Sequence, residues 1–138
     1  MQSDTIISLI LAVPIGIITG LYSGFIVSRY IRFSDLRNQL IRIIRSIEYI
    51  QEENYVAIQN DQDVAKIPLI ASDLFFLKHK NAGEIVTKLR SSIDQMKILA
   101  ASGQIDVLAY DDSYKQWQTI VNNLTPNRAV LLSFWSRL

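Results

Sequence analysis

The chain contains no cysteine, so disulfides and thiolate metal sites are excluded, and a reducing compartment suits it. It has a single histidine, His79, which has no cysteine to complement it in a conventional zinc site. Glycine is scarce outside one segment, and no glycine-rich phosphate loop is present; Gly83 stands alone. No serine lies in a nucleophile-elbow context. Catalysis needs a nucleophile or base with an orienting partner, and this inventory offers none, so a non-enzyme without cofactor or metal is expected. Excess charge is also missing. The net charge of +1 does not mark a binder of double-stranded nucleic acid.

One segment is rich in what the rest lacks. Thr5 to Ser28 carries no charge, and every fourth residue from Ser8 is small: Ser8, Ala12, Gly16, Gly20, Gly24 and Ser28. The run is long enough to cross a bilayer, which takes about 20 apolar residues. Each glycine costs roughly 1 kcal/mol of helix propensity relative to alanine. Small residues let helices approach closely in lipid, where packing drives association. Ala12, Gly16, Gly20, Gly24 and Ser28 therefore form the expected membrane oligomer face. Pro14 removes one backbone donor and is placed to kink the helix.

The flanks set an orientation. Arg29, Arg32, Arg37, Arg42 and Arg45 follow the run, with Asp35 as the only acid among them. Asp4 precedes it. The positive-inside bias predicts a single-pass protein of the inner membrane, N-terminus outside and C-terminal part cytoplasmic. A cleaved signal peptide is the rival, but the run lacks a basic n-region and ends in arginines as a stop-transfer anchor does. The arginines also suit anionic inner-leaflet lipid, or serve only as a topology signal.

From Phe33 the spacing alternates between three and four. Phe33, Leu40, Ile47 and Asn54 occupy heptad position a, and Leu36, Ile43, Ile50 and Ala57 occupy d. Ile41 and Ile44 widen the stripe. Isoleucine at d favours a trimer or tetramer, and a polar Asn at a fixes register. The same face could instead pack inside its own chain. Advancing 100° per residue, this stripe points roughly opposite to Gly20, so one straight helix cannot close both seams around one axis.

The remainder reads as helical. Asn60 to Lys66 is a connector, and Pro68 opens a short helix through Leu77. Asn81 with Glu84 suggests a capping box for a helix bearing Ile85, Leu89, Ile93, Met96 and Ala100, with Gly103 at its end. Val107, Tyr110, Tyr114, Trp117, Val121 and Leu124 mark another, with Asp111-Asp112-Ser113 placed to cap a new start. Thr125-Pro126 opens a last helix, Asn127 to about Arg137. Ile105 to Tyr110 is the one stretch with strand character. The expected fold is all-α: a transmembrane anchor (1–31), a juxtamembrane heptad helix (32–60) and a helical cytoplasmic domain (61–138).

Lys78-His79-Lys80-Asn81 places cations at the start of a helix, an end that favours phosphate or carboxylate. Lys88 and Arg90 add charge along it. These six are the candidate ligand-binding residues, against the alternative of an exposed polar turn with solvated lysines. Tyr110, Tyr114 and Lys115 are weaker candidates. Phe75, Phe76, Trp117 and Trp135 are expected in the core.

The layout of the Ser8–Ser28 ladder, the Leu36–Ile50 seam and the helical remainder with Lys78-His79-Lys80 resembles the small membrane-anchored ancillary effectors of type III CRISPR systems. No diagnostic family motif accompanies this architecture. The resemblance implies an antiviral effector whose cytoplasmic oligomer binds cyclic oligoadenylate and whose membrane helices respond. The partners so implied are membrane lipid, further copies of the chain and a cyclic oligonucleotide. Alternatives of other classes are a structural membrane adaptor docking a protein partner, and a phage-type lysis or exclusion protein.

Overall fold

The computed structural model describes residues 2–52, 55–60 and 62–133. Its dominant element is α1, Gln2–Arg45, which is 44 residues long and continues through Pro14. At 1.5 Å per residue it extends about 66 Å. From Ala12 onward it is long and apolar enough to cross a membrane, and none of the apolar window within that span is buried in the chain. The C-terminal third behaves differently. Phe33, Leu36, Leu40, Ile43 and Ile44 are buried in the chain's own core.

The helix expected over 32–60 therefore ends early. Ser46 turns its hydroxyl onto the Ile43 carbonyl (2.8 Å), and an antiparallel hairpin follows: β1, Glu48–Glu52, and β2, Tyr55–Asn60. Two periods compete in this segment. The heptad selects Ile47, Ile50 and Ala57. The strand period selects Ile47, Tyr49, Val56 and Ile58, with Tyr49 opposite Ile58. β-branched and aromatic residues favour the second. Ile47 and Val56 are buried, whereas Ile50 is 40% exposed. Asn54 lies outside the described residues. The heptad seam is thus closed by the same chain, and the trimer-or-tetramer preference drawn from it loses its basis.

A 3₁₀ turn, Gln62–Lys66, leads into α2, Ile67–Phe76, with Pro68 in its first turn as expected. Helix α3, Lys80–Ala101, returns antiparallel to it and ends at Gly103, whose φ of 66° closes the helix. The Gln104 N–H reaches the Leu99 carbonyl (3.1 Å). Helix α4, Val107–Asn122, runs unbroken through Asp111-Asp112, and Asp111 pairs with Lys115 (2.6 Å) instead of capping a new start. No strand forms over 105–110. The last helix, α5, is short, Arg128–Leu132. Its N-cap is Asn127, whose side chain accepts the Ala129 N–H (3.0 Å). The chain is mostly helical, with the hairpin as its departure from all-α.

The core lies where α1 meets α2 and α4, with α3 packed on α2 and α4 and strand β2 of the hairpin set against α3 and α4. Trp117 is 1% exposed, and its indole donates to Ser92 (3.0 Å). Tyr110 stacks between Tyr49 (4.6 Å) and Trp117 (6.0 Å). Burial and the neighbouring tyrosines push its phenol up to about 12. Tyr110 and Trp117 are core residues, so Tyr110 does not serve as a ligand contact. Phe75 and Phe76 are not core: they end α2 beyond the layer it covers, and Phe76 is 82% exposed. Trp135 lies outside the described residues.

Candidate anion-binding site

Helix α2 stops because Lys78 takes the left-handed conformation, with φ 64°. The Lys78 N–H bonds the Phe75 carbonyl and the His79 N–H bonds the Leu74 carbonyl, both at 2.9 Å. This is the Schellman closure, which usually places glycine where Lys78 stands. A side chain there costs about 1 kcal/mol. The turn is tight enough for α3 to begin at once. Gly83 on its first turns faces the Phe75 ring, where a Cβ would sit 2.9 Å from ring carbon. His79 is itself the N-cap residue, without a side-chain cap bond, so the Asn81–Glu84 capping box does not form. Asn81 and Glu84 are exposed.

His79 faces inward. It is 2% exposed, and its ring meets Phe33 edge-on at 4.9 Å. Its Nδ1 accepts the Asn127 N–H (3.1 Å), which places the proton of the neutral ring on Nε2. Burial, and then the Arg29 charge, hold its pKa below 6.5. His79 therefore ties the α2–α3 turn to α1 and to the start of α5, and contributes no positive charge near neutral pH.

Lys78 faces outward and meets partners that sequence spacing does not associate with it. A cleft of about 490 Å³ lies at the junction of α1, the α2–α3 turn and α5. Its cations are Arg29, Arg32 and Lys78; its apolar walls are Phe25, Phe76, Leu77 and Val130. Arg29 is held rigidly. Its Nη1 donates to the Val130 and Ser133 carbonyls, both at 2.6 Å, and its guanidinium lies 4.0 Å over the Phe25 ring. Arg32 and Lys78 are exposed at the rim. Two guanidinium groups and an ammonium around a partly apolar floor suit phosphate or carboxylate, through charge-assisted hydrogen bonds.

The other sequence candidates do not join this cleft. Lys80 and Asn81 are exposed on the first turn of α3, outside its lining. Lys88 borders a separate groove with Trp117 and Gln116. Arg90 is tied into the fold: it donates to the Val64 carbonyl (3.0 Å) and pairs with Asp94 (2.9 Å). Among the described residues, no three His, Asp or Glu side chains converge as a metal site requires.

The opposite face of α1 is open. Ala12, Gly16, Gly20, Gly24 and Ser28 are exposed, and a Cβ added at any of the three glycines would meet nothing within 4 Å. Arg29 lies nine residues from Gly20, which is about 180° around the helix. Gly16, Gly20 and Gly24 thus lie on the side of α1 away from the cleft, whereas Ser28, the last residue of the ladder, lines the cleft itself. Comparison with protein-family models, curated proteins and solved structures finds no match for this chain.

Proposed function

We propose that the protein is a non-enzymatic, membrane-anchored effector whose cytoplasmic helical module binds a phosphate-bearing ligand and alters the membrane in response. The observation that carries this reading is the cleft of Arg29, Arg32 and Lys78 at the root of the apolar helix. Two of its cations belong to α1, and the third sits on the strained turn between α2 and α3. An anion bridging them links the module to the helix it must influence. The open ladder on the far side of α1 lets copies meet through Gly16, Gly20 and Gly24 with their modules turned outward. A cyclic oligonucleotide, the ligand class implied by the resemblance, would place one phosphate in each of several such clefts.

The test is calorimetric titration of full-length protein in nanodiscs with a panel of cyclic oligoadenylates and with inorganic phosphate. Binding of at least one cyclic ligand is expected, weakened tenfold or more by Arg32→Glu with Lys78→Glu, a loss of about 1.4 kcal/mol or greater. Unchanged affinity in that variant removes the site. A structural adaptor is the second reading. It draws on the open groove of about 540 Å³ beside Trp117 and Lys88, and on Ile98 and Leu108, both about 70% exposed or more. An adaptor would bind none of the anions and would retain a protein partner when Trp117's groove is intact.

A further inference from the structure

Helix α5 lies along the apolar part of α1. The Tyr22 hydroxyl donates to the Leu132 carbonyl (2.7 Å), while Arg29 donates to the Val130 and Ser133 carbonyls (2.6 Å each). These are the carbonyls that the end of a short helix leaves without intrahelical partners. In water, solvent would satisfy them. In hydrocarbon nothing would, and the backbone must find protein donors. Two side chains of α1 supply those donors to three of these carbonyls.

The depth is also informative. Arg29 is the first charge after the uncharged run. Tyr22 lies seven residues before it, about 10 Å further along the helix. If Arg29 sits at headgroup level, the Leu132 carbonyl lies among acyl chains, since half the hydrocarbon core is about 15 Å. The outer side of α5 fits that position. Leu132 is 57% exposed, while Arg128 at the other end is exposed and charged. The sequence continues to Trp135, a residue type that favours the membrane interface.

We propose that residues 128–133 form a second, non-spanning membrane contact, with α5 embedded in the leaflet next to the helical module and its occupant surface being lipid. The inference rests on the reading that α1 crosses the bilayer. It makes the anchor a two-point attachment. The module, whose core already includes the C-terminal third of α1, is held against the leaflet at a second point, and the anion cleft, which shares Arg29 and Val130 with this contact, opens at headgroup level.

A chain without cysteine permits clean single-site labelling. Full-length protein in nanodiscs of phosphatidylcholine and phosphatidylglycerol is spin-labelled singly at Leu132→Cys, Ile18→Cys or Leu108→Cys. Collision with oxygen and with a water-soluble nickel chelate is then compared by power saturation. The Leu132 label is expected to favour oxygen as the Ile18 label does, and the Leu108 label to favour nickel. Ala129→Cys carries the same test if the Leu132 variant does not fold. It is expected to give a shallower depth than Ile18. A C-terminal label that reads as Leu108 does, with Ile18 still in lipid, overturns the second contact and leaves the spanning helix intact. An Ile18 label in water overturns both.

Discussion

Replacing Leu40 by alanine separates two uses of the same helical face. Leu40 is fully buried, with Leu36, Ile43 and Ile44 of its own helix around it and α4 packed alongside. Truncating a leucine in such a site removes its transfer free energy and leaves a cavity, at a cost of 2–5 kcal/mol across known cases. Full burial between rigid helices places Leu40→Ala at about 3 kcal/mol. For a module of this size, each kcal/mol shifts Tm by roughly 4–8 °C, so a fall of about 12–24 °C is expected. The assay is unfolding of full-length protein in mild detergent, followed by tryptophan fluorescence, with Trp117 as a buried reporter. It is run at two protein concentrations tenfold apart. A core within one chain gives the same difference between variant and parent at both. A loss below about 1 kcal/mol, or a difference that grows on dilution, would place this seam between copies and refute the intramolecular core.

Three further outcomes follow from individual side chains. Lys78→Gly relieves the left-handed strain at the α2 terminus and should raise stability by about 0.5–1 kcal/mol, read as a higher urea midpoint at constant m; no gain would mean the strain is absent. Tyr110→Phe removes a buried hydroxyl that has no hydrogen-bond partner among the described residues. It should be neutral or stabilising by up to about 1 kcal/mol, whereas a loss above that in thermal unfolding would reveal a partner. The neutral His79 contributes stability above pH 6.5, because its folded pKa is lowered and the unfolded chain takes up the proton first. Stability should therefore decline as pH falls from about 6.5 toward the lowered value. His79→Asn, which retains an acceptor near Nδ1, should flatten that decline; an unchanged slope would assign it to other groups.

Much of the fold was legible because single periods dominate long stretches. The uncharged run to Ser28 and the three-four spacing from Phe33 to Ile44 both appear as one helix, and Pro68 and Gly103 mark boundaries where backbone chemistry demands them. The hairpin was hidden because Ile47 satisfies the helical and the strand period alike, so the pattern continued past the point where the helix stops. The Lys78-His79 turn was visible as a cluster of cations, but its handedness was not. The left-handed Lys78 leaves His79 buried and its own side chain exposed, so two neighbours that line one cleft differ in what they can offer a ligand. Arg29 and Arg32 were visible as a boundary signal. Their meeting with Lys78 is a tertiary contact that local spacing does not encode. Phe75 and Phe76 were expected inside by residue type alone, and the length of α2 carries them past the core.

The central proposal is that α1 presents Gly16, Gly20 and Gly24 to another copy while the cleft lies on the far side of the helix from them. Oxidative crosslinking of single-cysteine variants in native membranes, stepped along α1 from Ala12 to Ser28, tests it most directly. Disulfide-linked dimers should peak at Gly16, Gly20 and Gly24 and fall to background at Ile18 and Phe25. Equal crosslinking around the helix, or a peak at Ile18 with none at Gly20, would contradict it.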